Sequence, residues 1–505
     1  MIFKWLSGLP QTVGKSLFWT LLIIVSTSLL LFQNITHATN FKNVYRDTNF
    51  QLSAAINAHL CHTQHMLDPK MINIMRQSGQ VTDSTHIFDI PRFNNMSMQA
   101  YCNQHIKDTP TTVSLEKNFD VAEGLPLYWV DRALIGAFGN VTMLQMNIMY
   151  RLLQIAFAAV FTFYLLTIGV RWPSVWVITL LANFVNTIAH IQAMNIHGFV
   201  LPCSLAIIAM YGIAMRFRFD RYLAWHSLWV VIISALELWL FYGRSSQLFA
   251  LLAFNVIYVI FLLRKSDRKC CLVITFLLVK LITISLLCYA AWVELGPKAL
   301  TRTHPVIHSV ILGMGTPSNQ LARQQGIKWE DMIGLDVAKR VNPKVDTLYS
   351  QEYNAALTTW YFSLWKNDTH SMLSLYNLKF YYLPQTIIKN IALYIKQNYT
   401  INLKPLFYPF TFIEGYVVLW LMLIGVFYYL FQFVSKLSNG CYVVLCWLIL
   451  AFLNLLENAL VSSVFAVRFQ TIFIFSFLVW VYVFWGSVVY GCVLLWKKIR
   501  SKSIS

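Results

Sequence analysis

Long runs of apolar residues recur along this chain, and no other feature constrains its fold as strongly. A run of about 18–25 such residues crosses a hydrocarbon core of about 30 Å as a helix, because a helix satisfies its own backbone where no water is present. A membrane β-barrel would instead show segments of about ten alternating residues. Ten spans are predicted on length and hydropathy, near 15–32, 149–170, 174–191, 198–215, 222–242, 246–263, 271–292, 410–432, 440–462 and 470–495. The predicted fold class is therefore an all-α polytopic membrane protein with two large, mainly helical extracytoplasmic loops.

That pattern divides the 505 residues into five regions. Residues 1–32 form the N-terminus and first span, read as a retained anchor because no clear small-residue cleavage site follows it. Residues 33–148 form the first loop, 149–292 spans two to seven, and 293–409 the second loop. Residues 410–505 hold the last three spans and a basic tail.

The net charge of +18 raises the question of nucleic acid, but the placement of the charge answers it. Basic residues collect at one set of span ends: Lys4 and Lys15; Arg216, Arg218 and Arg221; Arg264, Lys265, Arg268 and Lys269; Lys497, Lys498, Arg500 and Lys502. This is the positive-inside signature of topology, so no nucleic-acid partner is expected. It places both termini in the cytoplasm and both loops outside, with the lipid bilayer as the constant partner. No internal repeat or inverted pair of broken spans is present, which counts against a secondary transporter.

Most cysteines lie in or beside spans, where they act as small hydrophobes. Cys61 and Cys102 fall in the first loop, where an oxidising compartment would let them form a disulfide closing a loop of about 40 residues; the alternative is two free buried thiols. In the same loop Leu52, Ile56 and Leu60 recur at helical spacing, which predicts an amphipathic surface helix. Asp68 and Pro69 read as the cap and first residue of a second helix.

The stretch "THPVIHSVILGMGTPSNQ", Thr303 to Gln320, opens the second loop's helices. Pro305 suits a first helical turn, and Gly313 or Gly315 a left-handed C-cap. His304 and His308 then share a face, beside Arg302 and a helix N-terminus that suits phosphate. The alternative is a capped connector whose histidines satisfy neighbouring loop carbonyls. A metal site is poorly supported here, since HxxxH lacks the glutamate of HExxH. Downstream, "WEDMIGLDVAKRVNP" should stop at Pro343, and a helix should start from a Ser350 cap.

Asp47 in "YRDTN" stands close beyond the first span. A carboxylate there can deprotonate a hydroxyl or hold a divalent metal ion, or it can simply cap a helix. Within the spans, Glu237, Lys280 and Glu457 are costly enough to expect a purpose, with Glu237 and Glu457 read in the outer third and Lys280 near the middle. They read either as a polar funnel opening outward, with Arg468 near its mouth, or as interhelical pairs such as Lys280 with Glu237.

The layout resembles the C-type (GT-C) membrane glycosyltransferases, in which an anchor is followed at once by a large outer loop and a second loop precedes the final spans. The resemblance implies a bacterial inner-membrane enzyme using a polyprenyl-phosphate-linked sugar as donor and a glycan or glycolipid as acceptor. It implies that Asp47 is the base or metal-adjacent carboxylate, and that Arg468 in "AVRFQTIFIF" meets the donor phosphate. The stretches around His304 and His308, and "GIKWEDMIGL" with Trp329 and Asp331, look similar to H-P-x-x-H-S and G-I-x-W-x-D segments of polytopic bacterial proteins, which implies a shared working face. Two departures stand out: a single acid beside Arg46, and Phe469 where a tyrosine is usual. No cofactor beyond a divalent metal ion is expected. Two other function classes fit the same layout, a flippase or transporter of a lipid-linked precursor and a non-catalytic membrane assembly protein.

Overall fold

The protein is described here from a computed structural model. It covers residues 11–37, 143–188, 197–243, 247–265, 269–295, 306–382 (except 317, 329, 330, 347 and 349), 415–460 and 471–502, with short pieces between 65 and 138. Seven long helices come first: α1 Gln11–His37, α2 Met143–Thr167, α3 Trp172–Ile188, α4 His197–Arg216, α5 Leu223–Gly243, α6 Leu248–Lys265 and α7 Lys269–Leu295. A lobe of shorter helices follows: α8 Val306–Met314, α9 Gln320–Gln325, α10 Asp331–Val341, α11 Gln351–Asn367 and α12 at 369–382. Three long helices complete the described fold, α13 Gly415–Lys436, α14 Asn439–Leu460 and α15 Thr471–Lys502.

Every predicted span falls on one of these ten long helices. Among the described residues, eight are long and apolar enough to cross a membrane, and the chain is a multi-pass integral membrane protein by this measure. The other two carry shorter apolar stretches, Val13–Ser28 in α1 and Trp172–Val185 in α3. At 1.5 Å per residue those stretches reach only about 21–24 Å, short of a full hydrocarbon core without thinning or flanking anchors.

Between residues 38 and 142 the described pieces include two short antiparallel ladders, which helical periodicity does not anticipate. His65–Leu67 pairs with Thr112–Ser114, and Val81–Thr82 pairs with Ile87–Phe88. The first pairing joins segments far apart in sequence, so no local pattern announces it. The predicted surface helix at Leu52, Ile56 and Leu60, and the Asp68 cap, lie outside the described residues.

Helix α4 is the axis of the bundle. The whole of its apolar window is buried, against α2, α5, α14 and α15 among others. Small residues make this possible, because Ser204, Ala206, Ala209, Gly212 and Ala214 let neighbouring backbones approach. At Gly212 the approach is so close that a Cβ would fall on the Tyr164 ring of α2. Side-chain hydrogen bonds stitch the rest: Thr162 to Thr179 (2.7 Å), Trp176 Nε1 to Ser26 (2.9 Å), Tyr442 Oη to the Ile208 carbonyl (3.0 Å) and Trp447 Nε1 to Ser476 (2.9 Å). Each such bond contributes on the order of 0.6 kcal/mol in a membrane bundle.

Three contacts bring the basic helix ends to one face. Arg218, in the α4–α5 turn, donates to the Lys265 carbonyl at 3.1 Å, and Arg264 of α6 donates to the Val434 carbonyl of α13 at 2.6 Å. Tyr164, near the end of α2, donates to the Asn439 carbonyl at the start of α14 at 3.4 Å. The ends of α2, α4, α6 and α13 therefore share what we term the basic face.

The lobe α8–α12 has its own core, built on Ile311, Met314, Leu335, Leu357, Met372 and Leu375. Several of its boundaries follow the sequence. Ser350 Oγ accepts from Tyr353 N–H (3.1 Å) to cap α11, Asp368 Oδ1 accepts from Ser371 N–H (3.2 Å) at the start of α12, and α10 ends two residues before Pro343. The left-handed cap expected at Gly313 or Gly315 is absent; Gly313 lies inside α8, and Gly315 has an ordinary φ. Gly315 instead permits close packing, since a Cβ there would lie 3.0 Å from the Ile327 carbonyl. Gly326, with φ of 64°, is the left-handed terminator, and it ends α9.

Candidate functional site

The described residues that converge most tightly are charged and lie within the bundle. Glu237 of α5 is 4% exposed, and its carboxylate forms an ion pair with Lys280 of α7. Tyr211 of α4 donates to Glu237 Oε1 at 2.8 Å, and Asn255 Nδ2 of α6 donates to the same oxygen at 3.1 Å. The Lys280 ammonium donates to Glu237 Oε2, to Asn255 Oδ1 and, at 3.3 Å, to Tyr211 Oη. Four helices thus each contribute one side chain to a closed polar cluster. The interhelical pairing of Lys280 with Glu237, one of the two sequence readings, is present.

Depth follows from helix rise. Asn255 lies ten residues from the basic end of α6 at Lys265, and Lys280 eleven from Lys269, or about 15 and 16 Å. The cluster therefore sits near the middle of a core of about 30 Å, and Glu237 sits with it rather than in the outer third. The ion pair's members neutralise each other, and Asn255 and Tyr211 occupy the remaining lone pairs and protons. A buried pair survives only with that kind of satisfaction.

A second line of buried polar groups runs between this cluster and the basic face. Tyr258 of α6 packs tilted against Tyr211, with ring centroids 5.0 Å apart, and its hydroxyl lies 3.4 Å from His226 Nδ1 at the start of α5. His226 is 1% exposed and close to the Leu272 backbone, and its Nε2 has no partner in good hydrogen-bond geometry among the described residues. Beyond it, Asp220 is 4% exposed in the α4–α5 turn and is held by both Arg218 Nε and Nη2 at 2.9 Å.

The second-loop residues separate. His308 is fully buried in the lobe core, where Nδ1 bonds the Tyr353 hydroxyl of α11. Gly334 of α10 makes room for this pair, because a Cβ there would meet His308 Nδ1 at 2.8 Å and the Tyr353 hydroxyl closer still. His308 as placed faces α10 and α11, and Nδ1 meets a tyrosine hydroxyl on a helix where the connector reading expects a loop carbonyl. Asp331 is the first residue of α10. Asp47, Cys61, Cys102, Arg302, His304, Trp329 and Arg468 lie outside the described residues. Glu457 lies near the end of α14 remote from the basic face, where Asn454 Nδ2 approaches it at 3.5 Å. Among the described residues all seven cysteines are free, and no group of three metal-ligating side chains occurs.

Several polar groups escaped the sequence reading. Asn255 and Tyr211 complete the cluster, and each interrupts an apolar run, which is the signal that marks them. Arg151 of α2 is a further intramembrane cation, donating to Gln154 Oε1 at 3.0 Å. Lys379 of α12 is fully buried in the lobe and donates to the Gly313 carbonyl at 3.0 Å.

Fold and site together define a multi-pass helical membrane protein with a lobe of shorter helices and a charged cluster within the bundle. No family model, curated protein or solved structure matches the chain.

Proposed function

We propose that this chain is a membrane glycosyltransferase, moving a sugar from a polyprenyl-phosphate donor to a glycan or glycolipid acceptor at the face opposite the basic helix ends. The observation that carries this reading is the attachment of the lobe to that face. Phe380 of α12 packs into the bundle and meets the Tyr416 ring at the start of α13, while Tyr416 donates to Asn377. Helix parity supports it as well. Six helices, α2 to α7, separate the two polar regions, so if all six cross, both regions leave the bundle on one side. A lipid-linked sugar phosphate would lie at that side, within reach of both.

In this reading Asp47 activates the acceptor hydroxyl, and Arg302, His304 and Arg468 steady the phosphate as charge develops on it. The reading keeps His308, Trp329 and Asp331 as supports of the second-loop surface, and the disulfide between Cys61 and Cys102 as a brace of the first. A divalent metal ion would sit against Asp47 if one is used. Membranes carrying Asp47→Asn should lose transfer from a lipid-linked donor by about 10²-fold or more. Full transfer by that variant, with normal protein levels, would remove the proposed base.

The Glu237–Lys280 cluster favours a second reading, transport or flipping of a lipid-linked precursor. Buried intramembrane charge marks pathways more often than it marks surface chemistry. Appearance of the unmodified precursor on the opposite leaflet of proteoliposomes selects this reading, and a covalently altered product selects the first.

A further inference from the structure

The mid-depth cluster and the polar line below it point to an activity that needs neither loop. We propose that Glu237 is a proton-exchange site, loaded from the basic face through Asp220, His226, Tyr258 and Tyr211. A structural ion pair needs no such approach; apolar packing around a satisfied pair would suffice. Here one side of the pair is continued by hydroxyl and imidazole groups that are themselves almost wholly buried. Among the described residues His226 Nε2 has no partner in good hydrogen-bond geometry, although the Leu272 backbone is near the ring. The line ends where solution begins, at the Asp220–Arg218 turn on the basic face.

The groups around Glu237 on every neighbouring helix fit this use. Tyr211 on α4 points its proton at the carboxylate, Asn255 on α6 bridges carboxylate and ammonium, and Lys280 on α7 supplies the counter-charge. Cys203 on α4 donates to the Leu236 carbonyl and leaves the carboxylate to those three.

The transfer balances as follows. A protonated His226 releases the Nδ1 proton to the Tyr258 hydroxyl; Tyr258, whose ring lies against Tyr211 but whose hydroxyl does not bond it in this structure, passes its own proton to Tyr211 when the two rings turn towards each other. Tyr211 passes its proton to Glu237, forming a carboxylic acid, and is refilled from Tyr258. His226 ends neutral and is reprotonated from solution beside Asp220. One proton has entered the cluster, and Lys280 loses its only full counter-charge. Its side chain is 15% exposed, and the open faces of its helix carry apolar side chains such as Leu277 and Leu281 that meet lipid, so the unpaired ammonium is held at high energy until the helices rearrange. Protonation of Glu237 thereby converts a closed pair into a free cation at mid-membrane, the kind of bistable element that drives a conformational step.

Infrared difference spectroscopy on the full chain in nanodiscs tests this. A downward pH jump should raise a carboxylic-acid carbonyl band that is lost in Glu237→Gln. His226→Gln and Tyr258→Phe should leave the final band amplitude unchanged but slow its appearance by about 10²-fold, the usual cost of removing a positioned proton-transfer group. In oriented proteoliposomes the band should rise faster when the jump is applied at the basic face. Absence of a Glu237-dependent band would overturn the site. Unchanged rates in both pathway variants would overturn the route, as would equal rates from the two sides. A monodisperse profile of Glu237→Gln in detergent shows that the loss of its band is a loss of the carboxyl group and not of the fold.

Discussion

Lys379 offers a prediction that the lobe's geometry fixes in both sign and size. Its ammonium is fully buried between α12 and the end of α8, with the Gly313 carbonyl at 3.0 Å and the Tyr376 ring 5.7 Å from Nζ. Burial holds its pKa down at about 7, against 10.5 for a solvated lysine. Between those values the unfolded lobe holds a proton that the folded lobe has shed, so stability rises with pH across that window and is lowest below it. That difference corresponds to about 5 kcal/mol over the whole window, and to about 2 kcal/mol between about pH 7 and 9. The neighbouring Tyr376 hydroxyl is pushed up by burial and by its 2.7 Å bond to Tyr361, so it stays protonated throughout that range. Trp365 stacks on Tyr376 with centroids 5.8 Å apart, which makes it a reporter of α12 docking. The assay is urea unfolding of the full chain at a series of pH values, read from the fluorotryptophan resonance of Trp365 and assigned with Trp365→Phe. Lys379→Met should cost about 1 kcal/mol at high pH through the lost hydrogen bond and should abolish the slope. A flat wild-type profile refutes the reasoning, and so does an unchanged slope in Lys379→Met.

Two further perturbations probe other parts of the fold. Glu237→Gln or Lys280→Met alone should lower thermal stability in detergent by about 3–5 kcal/mol, while the double variant should recover most of it, because a lone buried charge costs more than no charge; additive losses would contradict the pairing. Gly334→Ala should destabilise the lobe by about 1–3 kcal/mol through collision with His308 and Tyr353, seen as an earlier urea transition of the Trp365 signal; an unchanged midpoint would mean that the close approach is not real.

The spans were legible because the signal is a sum over some twenty residues, and local errors cancel within such a sum. Caps were legible for a related reason: Ser350 and the stop before Pro343 act on their own few neighbours. The glycines were not. Gly313 and Gly315 have the spacing of a helix terminator, yet one lies inside α8 and the other is selected by the Ile327 carbonyl, which comes from another part of the chain. Polar residues of the lobe misled in the same way. A histidine four residues from another reads as a surface pair, but His308 turns inward because Tyr353 and the bare backbone at Gly334 prepare a place for it. Lys379 escaped the sequence because the carbonyl that admits it to the core, that of Gly313, lies 66 residues away along the chain.

Charges within the spans show where reading by residue type reaches its end. That Glu237 and Lys280 are expensive is plain from the run they interrupt, and their opposite signs suggest a pair. Depth counted along each helix separately sets them apart, however, because it treats the spans as parallel rods of equal register. The contacts of the basic face remove that freedom: Arg218 binds the end of α6 and Arg264 binds the end of α13, so the helices are indexed to one another from that side. With the register so fixed, Asn255 and Lys280 fall at one level, and the carboxylate that meets them must lie there too. The cluster is therefore a consequence of how the connectors are tied. Arg218→Gln, which cuts the tie between the α4–α5 turn and α6, should loosen the Glu237–Lys280 pair from about 15 Å away without touching its four members, seen as a lower melting temperature in detergent; an unchanged one would contradict the indexing.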